Sequence, residues 1–171
     1  MAARDNTTEP VVVTSASKQD EPKISRMIQF MLYELSPFHG EWIDADGRYE
    51  YEYLSRYWSE PGRLPYLIQQ RAQLAGFALV MNHSPVTGRS PCWFMAEFFI
   101  LKAQRRRGYG RQAFHRLIAK HAGPWEIAVD CKNRPARRFW DVALADHESS
   151  GLGRDVLKHD GSEWVVHEFT A

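Results

Sequence analysis

The feature that most constrains this chain is a turn with two glycines between an apolar run and an amphipathic segment. The run "CWFMAEFFIL" ends at Leu101, "RRRGYG" ends at Gly110, and apolar residues then recur at helical spacing. The run predicts a buried strand and the spacing predicts a helix. Glycine adopts backbone angles closed to other residues and lets a ligand approach the main chain closely. The turn therefore predicts a binding site formed by backbone N–H groups.

A phosphate or diphosphate is the ligand that best suits such a turn. Unpaired N–H groups at a helix N-terminus and the helix dipole both attract anions. Tyr109 lies between the two glycines and belongs to the same stretch of backbone. Four arginines around the turn would add charged donors; they are Arg105, Arg106, Arg107 and Arg111.

Other phosphate-binding patterns fit this turn less well. A P-loop needs the string G-x-x-x-x-G-K-[ST], which does not occur. A dinucleotide fingerprint would place Ala113 in its third glycine position and needs an acidic residue, for which Asp130 is the nearest candidate. The string "RGYGRQAF" resembles an RNA-binding RNP1 segment, but that segment is a strand and needs an aromatic residue where Arg111 stands. The dinucleotide interpretation stays open.

The element pattern predicts a mixed α/β fold with one sheet and helices on its faces. We expect a single domain over residues 1–171, with residues 1–10 flexible. The predicted order is β, α, α, β, β, β, α, β, α, β. Strands are expected at "VVVTSAS", "LPYLIQQ", "LAGFALVMNH", "CWFMAEFFIL", "WEIAVDC" and "EWVVHEF". Helices are expected in "EPKISRMIQFMLYEL" before Pro37, in "YEYEYLSRYWSE", from the glycines to about His121, and in "RPARRFWDVAL".

Composition narrows the classes of function and location. The formal charge is +1, which argues against a general nucleic-acid binder. The first residues lack an apolar signal core, and no apolar run approaches the roughly 20 residues of a membrane span. Cys92 and Cys131 do not suggest a disulfide framework, so a reduced cytoplasm is expected. No metal is expected, because four histidines lack metal-ligand spacing: His39, His83, His115 and His121.

Two motifs together resemble the GNAT acyltransferases. Arg105-x-x-Gly108-x-Gly110, after an apolar strand and before a helix, is similar to the family's motif [QR]-x-x-G-x-[GA]. The segment "NRPARRFW" after the next strand is similar to a second family motif. The resemblance covers residues 11 to 140 and implies a mixed, mostly antiparallel sheet of about six to seven strands. It also implies that acetyl-CoA is the co-substrate and that its diphosphate binds at the glycine turn.

The same resemblance implies which residues hold the coenzyme. The strand before the turn would offer backbone groups of Phe99, Ile100 and Leu101 to the pantetheine arm. Asn133 would form a hydrogen bond with that arm, and Phe139 would pack beside it. Arg137 and Arg138 would either reach phosphates or belong to a solvated helix face.

Acetyl transfer to an amine needs a base, because an aliphatic amine has a pKa of about 10. Glu97 is the only charged residue between Cys92 and Leu101, and desolvation would raise its pKa toward a useful value. Some relatives carry the base one position earlier, where this chain has Ala96, and a bulge could offset that slip. The alternative is a structural carboxylate paired with an arginine or bound by loop amides.

The other catalytic parts are less defined. The oxyanion donor is expected to be the N–H of Leu101 or of a neighbour. Many relatives have a tyrosine acid at the position of Trp140, whose indole is not a useful proton source, so the acid is unassigned. Cys131 lacks an activating partner for covalent chemistry.

The sequence therefore predicts an N-acetyltransferase that transfers acetyl directly to a primary amine of a small molecule or peptide. The region from Tyr33 to Trp58 combines aromatic and acidic residues, which suits either a cationic acceptor or a core with a solvated loop. The alternative function is a non-catalytic acyl-CoA-binding or sensing module. Neither nucleic acid nor membrane is an expected partner, and an exposed edge strand would allow a homodimer.

Overall fold

Seven strands form one sheet, in the order β1-β2-β3-β4-β5-β7-β6. The computed structural model describes residues 10–145 and 150–171, so nearly all of the segment expected to be flexible lies outside the described residues. Neighbouring strands are antiparallel except β4 and β5, which run parallel. This confirms the predicted mixed, mostly antiparallel sheet. The strands are β1 Val12–Ser15, β2 Arg63–Gln70, β3 Gln73–Met81, β4 Trp93–Ile100, β5 Pro124–Asp130, β6 Ser150–His159 and β7 Ser162–Thr170.

Helices cover both faces of the sheet and create two apolar cores. Helix α1 (Glu21–His39) and a 3₁₀ helix (Leu54–Trp58) pack on one face, which we call the α1 face. Helices α2 (Tyr109–Ile118) and α3 (Arg134–Ala145) pack on the other. Among the described residues, no helix combines the length and the apolar character needed to cross a membrane.

The two parallel strands at the centre pair only at their beginnings. The ladder joins Trp93 with Trp125 and Phe94 with Glu126, and within the described ranges no further β4–β5 pair follows. The strands nevertheless continue to Ile100 and Asp130. The sheet is therefore open between the ends of these strands, an opening that we call the β4–β5 gap. Backbone groups on that side of β4 face the gap instead of a strand.

Helix α1 continues through Pro37, where the sequence predicted its end. A proline inside a helix removes the N–H that would bond the carbonyl four residues earlier, here that of Tyr33. The Ser36 hydroxyl donates to the Tyr33 carbonyl at 2.9 Å instead. Gly40 then ends the helix with a φ of 71° and donates its N–H to the Ser36 carbonyl. The two residues after Pro37 carry the helix to His39, which reaches the end of β5.

The second predicted helix is reduced to the 3₁₀ segment. Leu54 and Tyr57 are buried as expected, but Tyr53 is largely exposed. The preceding residues form a loop because Tyr49 is bonded to α1. Its N–H donates to Gln29 Oε1 at 2.8 Å, and Gln29 Nε2 donates to its carbonyl at 3.0 Å. Tertiary hydrogen bonds thus override the helical spacing of the side chains.

Strand β6 was not predicted from the sequence. Its segment contains Gly151 and Gly153, and charged residues interrupt its apolar positions. It pairs only with β7 and forms the edge of the sheet. An edge strand needs no continuous apolar pattern, because little of it is buried.

Candidate active site

The glycine turn begins α2, as the sequence predicted. Gly108 precedes the helix with a φ of 77°, in the left-handed region that favours glycine. The first helical bond is donated by Gln112 to the Gly108 carbonyl, so the N–H groups of residues 108–110 precede the first bond within the helix. A Cβ on Gly110 would lie 3.0 Å from the Phe139 ring. Gly108 is thus required for its backbone angle and Gly110 for close packing.

The side chain of Arg105 connects the turn to the end of β4 and to α1. Its Nε donates to the Ile100 carbonyl at 2.7 Å, and its Nη1 donates to Glu34 Oε2 at 2.6 Å. Its guanidinium also lies 5.2 Å from the centre of the Phe99 ring. We expected this side chain to bind phosphate, but it is already engaged between β4 and α1. The other three arginines of the turn are exposed: Arg106, Arg107 and Arg111.

Backbone groups alternate in direction along the second half of β4. The Leu101 N–H donates to the Ala75 carbonyl of β3 at 2.8 Å. The antiparallel register then turns the N–H of Phe99 toward β3 and those of Phe98 and Ile100 toward the gap. The Leu101 N–H is therefore engaged with β3, whereas its neighbour Ile100, which the expectation also allowed as the oxyanion donor, has its N–H toward the gap. Of the three strand residues predicted to offer backbone groups, Ile100 has its N–H toward the gap, and Phe98 was missed.

Helix α3 presents the second motif to the gap. The Asn133 side chain caps this helix, with Oδ1 accepting the Ala136 N–H at 3.2 Å. Phe139 stacks on Phe98 with ring centres 5.8 Å apart, beside Gly110. Trp140 is buried and packs against Phe98, as expected for a packing residue. The two motifs therefore meet where the Phe139 ring lies beside Gly110.

The remaining candidates on and before α3 have structural contacts. Arg137 Nη1 donates to the Cys131 carbonyl at 3.3 Å, a contact that the sequence did not predict. Arg138 is exposed. Cys131 is a partly buried free thiol. A cavity of about 560 Å³ lies next to it, between the end of β5 and the β6–β7 turn, and its lining includes Asp130, Lys132 and Glu163.

A β-bulge sets the direction of Glu97. Glu97 is opposite Leu79 and Met95 is opposite Val80, so Ala96 is the additional residue on β4. The Glu97 side chain points to the α1 face, where Ala96 also packs. The bulge thus places Ala96 and Glu97 on the same face of the sheet, so that a one-residue offset here does not reverse the direction of a side chain.

The Glu97 carboxylate is partly buried and bonded to a tyrosine. Tyr51 donates its hydroxyl proton to Glu97 Oε1 at 3.1 Å. Burial raises the pKa of Glu97 to about 7; the hydrogen bond from Tyr51 opposes that rise, and the negative charge of Glu41 adds to it. Burial, followed by the charge of Glu97, raises the pKa of Tyr51, so this phenol stays protonated at neutral pH. The observed partner is thus neither an arginine nor a loop amide.

A histidine–aspartate pair that the sequence did not predict lies at the other side of the gap. His39 Nε2 is 3.4 Å from Asp130 Oδ2, and His39 Nδ1 is 3.7 Å from Glu41 Oε1. Asp130 is buried and also accepts the Lys132 N–H at 2.7 Å. The sequence signal was the position of Asp130 at the end of a strand, but its partner depends on the continuation of α1 past Pro37. Among the described residues, no group of three or more His, Cys, Asp or Glu side chains is arranged to hold a metal ion.

Comparison with known proteins supports the resemblance found in the motifs. The model of the acetyltransferase (GNAT) family matches residues 28–144. A GNAT-family acetyltransferase from Streptococcus agalactiae has a TM-score of 0.70 at 14% identity, with 94% of this chain and 95% of that chain covered. An acetyltransferase from Thermus thermophilus has a TM-score of 0.64 at 16% identity, with 96% of this chain and 99% of that chain covered.

A third similar structure is Arabidopsis thaliana NAA60 in complex with a bisubstrate analogue. Its TM-score is 0.57 at 12% identity, with 94% of this chain and 97% of that chain covered. At these identities the similarity shows a shared fold. No sequence among the curated proteins matches this chain. With the family model covering more than half of the chain, and with the glycine turn, the β4–β5 gap and α3 in the order that both motifs predicted, the chain belongs to the GNAT acetyltransferase family.

Proposed function

We propose that the chain is an N-acetyltransferase that moves the acetyl group of acetyl-CoA to a primary amine of a small molecule or peptide. The observation that carries this proposal is Glu97. Its carboxylate is partly buried beside the β4–β5 gap, and its pKa is raised to about 7. A base with this pKa is partly ionised at neutral pH and can hold a proton taken from an ammonium group.

The chain's own groups suit the coenzyme. The N–H groups of residues 108–110 precede the first helical bond and would bind the diphosphate, with the three exposed arginines of the turn around it. One of the two gap-facing N–H groups, that of Phe98 or that of Ile100, would bind an amide carbonyl of the pantetheine arm and leave the other for the reacting carbonyl. Asn133 and Phe139 would line the same path from α3.

Glu97 would accept the first of two protons lost by the acceptor. An ammonium group must give up one proton before its nitrogen lone pair can attack the thioester carbonyl. The new C–N bond forms as the C–S bond breaks, and the nitrogen then loses a second proton to the leaving thiolate. The sum is an amide, free CoA thiol and one proton, which Glu97 returns to solvent.

No dedicated acid is required for this reaction. A thiol has a pKa of about 8.5, so a thiolate leaves readily and can be protonated by the departing amine proton. Trp140 is buried among aromatic rings and has a packing role. The N–H of Phe98 or Ile100 would stabilise the developing oxyanion, because both face the gap.

Release of CoA thiol with a panel of amines tests the proposal. We expect Glu97→Gln to lower kcat/KM by about 100-fold or more at neutral pH, while calorimetry gives an unchanged Kd for CoA. For the unmodified chain, kcat/KM should rise with pH through about 7, as Glu97 loses its proton. Asp155→Asn, an exposed acid of β6, is the control and should leave both constants unchanged. Coenzyme binding without thiol release for any amine would instead favour the non-catalytic acyl-CoA-binding module.

A further inference from the structure

A buried histidine with an unpaired nitrogen lies between α3 and the sheet. His167 belongs to β7 and is 3% exposed. Within the described part of the chain, its Nε2 atom is buried and has no hydrogen-bond partner, and the same holds for Nε of Arg137 on α3. Buried polar atoms are nearly always paired, so such exceptions call for an explanation. The proposed reaction uses neither of these two atoms.

Charged groups of α3 and β6 surround the imidazole. Asp141 Oδ1 lies 4.0 Å from His167 Nε2 and 3.8 Å from Nη2 of Arg154. Arg154 is directly opposite His167 on β6, and Arg137 precedes Asp141 by one turn on the same side of α3. On β5, the residue opposite His167 is the apolar Ile127. The described residues thus provide one carboxylate to two guanidinium groups and the imidazole.

A proton on His167 would place a third cation beside a carboxylate that two guanidinium groups already share. The imidazole is also buried, and a buried charge without a counter-charge of its own is costly. Burial, the largest influence, lowers the pKa of His167 below the ordinary value of 6.5; Asp141 raises it, and Arg154 and Arg137 lower it again. The packed structure therefore favours the neutral ring.

Acidification should therefore favour separation of α3 from β7. The unfolded chain, or a state in which α3 has moved away, takes up this proton near the ordinary pKa of 6.5. The packed state takes it up only at lower pH. The contribution of His167 to stability is thus complete above about pH 6.5 and decreases as the pH falls below that value.

The position of α3 matters because this helix forms one wall of the β4–β5 gap. Phe139 stacks on Phe98 of β4, and its ring would lie 3.0 Å from a Cβ on Gly110. Asn133 caps the start of the same helix. A displacement of α3 would therefore move these groups away from the path of the coenzyme, although none of them titrates.

We propose that His167 is a pH-sensitive contact between α3 and β7, through which mild acidification loosens α3 and lowers the affinity for CoA. The effect on CoA rests on the proposed function, whereas the loosening of α3 does not. The contact is also separate from Glu97, because that carboxylate points to the α1 face and His167 to the α3 face.

Amide exchange of α3 tests the contact without coenzyme. Exchange rates are measured by NMR at about pH 7.5 and about pH 5.5 and expressed as protection factors, which removes the intrinsic effect of pH on exchange. In the unmodified chain, the protection factors of Ala143 and Leu144 should fall at least about threefold at the lower pH. In His167→Gln they should stay constant, because glutamine does not titrate.

Two further variants complete this experiment. His167→Phe also removes the ionisable group and provides the same comparison if glutamine disturbs the packing. His83→Gln changes a half-exposed histidine between β3 and β4 and should behave like the unmodified chain. Protection factors that do not depend on pH in the unmodified chain, or that fall equally without His167, would overturn the contact.

Calorimetry with CoA then connects the contact to the coenzyme. Because a phosphate monoester such as the 3′-phosphate of CoA titrates near about pH 6, the ratio of Kd between the two pH values is compared among variants. This ratio should be at least about threefold larger in the unmodified chain than in His167→Gln. Equal ratios would overturn the effect on CoA while acetyl transfer stands. Absence of CoA binding at either pH would overturn the proposed function, and with it the effect on CoA.

Discussion

At the scale of single residues, one phenol tunes the carboxylate that the proposed chemistry needs. Burial alone would push the pKa of Glu97 higher, and the proton donated by Tyr51 limits that rise. A carboxyl group with too high a pKa would stay protonated at neutral pH and could not accept a proton. Tyr51 thus keeps Glu97 usable as a base while contributing no charge of its own.

Replacement of Tyr51 should move the pH dependence upward. In Tyr51→Phe the carboxylate loses a hydrogen bond that stabilises its charged form, so its pKa should rise above about 7. The pH at which kcat/KM reaches half of its maximum should increase, with a smaller effect on the maximum itself. Tyr33→Phe, whose parent side chain is 70% exposed, should leave the profile unchanged. An identical profile in Tyr51→Phe would contradict the role of this bond.

The sequence pointed to Glu97 but not to its partners, for a physical reason. A single charge in an apolar run can be recognised from the sequence alone, because burying a charge is costly in any fold that buries the run. Tyr51 lies 46 positions away in a loop whose conformation depends on Gln29. His39 reaches Asp130 only because Ser36 compensates for Pro37. Such contacts follow from tertiary hydrogen bonds, which composition and periodicity do not contain.

At the scale of elements, the two edges of β4 should differ in amide exchange. The N–H groups of Phe99 and Leu101 are bonded to β3, whereas those of Phe98 and Ile100 face the gap. Without coenzyme, we expect the second pair to exchange with deuterium faster than the first, measured by NMR. Addition of CoA should slow exchange at Phe98 and Ile100. Uniform protection along β4 without CoA would contradict the alternation.

The contact between α2 and α3 should be sensitive to one added methyl group. In Gly110→Ala, the new Cβ would lie 3.0 Å from the Phe139 ring and displace it. We expect the Kd for CoA, measured by calorimetry, to rise at least about tenfold, because the displaced ring disturbs the wall of the gap. Stability should change by less than about 1 kcal/mol, because alanine is the better helix former.

Gly153→Ala is the matched control for this substitution. A Cβ at Gly153 has its nearest neighbour at 3.8 Å, an ordinary contact, and the residue lies on β6 away from the turn. Its Kd for CoA should stay unchanged. Equal coenzyme affinity in Gly110→Ala and the unmodified chain would show that this close packing is not needed for binding.

Elements with strong periodicity were predictable, and those held by tertiary contacts were not. The apolar stripe of α2 was predicted because its four positions face one core: Ala113, Phe114, Leu117 and Ile118. The 3₁₀ segment and β6 carry weaker patterns, since one depends on the bonded loop before it and the other is an exposed edge. Gly108 was predictable because its backbone angle is a local constraint, whereas Gly110 is required by a tertiary contact with the Phe139 ring of α3.

At the scale of the whole molecule, Glu97 should make stability depend on pH. Its folded pKa of about 7 lies above the ordinary value of 4.5, so the folded protein holds this proton to higher pH than the unfolded chain. The contribution of Glu97 to stability is therefore greatest below about 4.5 and falls as pH rises to about 7. A glutamine at position 97 does not titrate, so Glu97→Gln should abolish this decrease in stability with rising pH.

Denaturant unfolding at several pH values checks this expectation. Glu97→Gln should leave the free energy of unfolding nearly unchanged at about pH 4 and increase it by on the order of 2 kcal/mol at about pH 8. Glu50→Gln, which replaces an exposed carboxylate, should show no such trend. A gain that is the same at every pH would contradict a raised pKa in the folded state.

The additional residue at Ala96 also affects how whole chains of this kind should be aligned. A relative that lacked the bulge would direct a carboxylate to the same point in space from a position that differs by one along the chain. An alignment that forbids insertions inside strands would then match Glu97 to a side chain on the opposite surface of the sheet. Equivalent residues of two such chains have to be assigned in this region from superposed Cα positions. Ala96 is then left without a counterpart in the alignment.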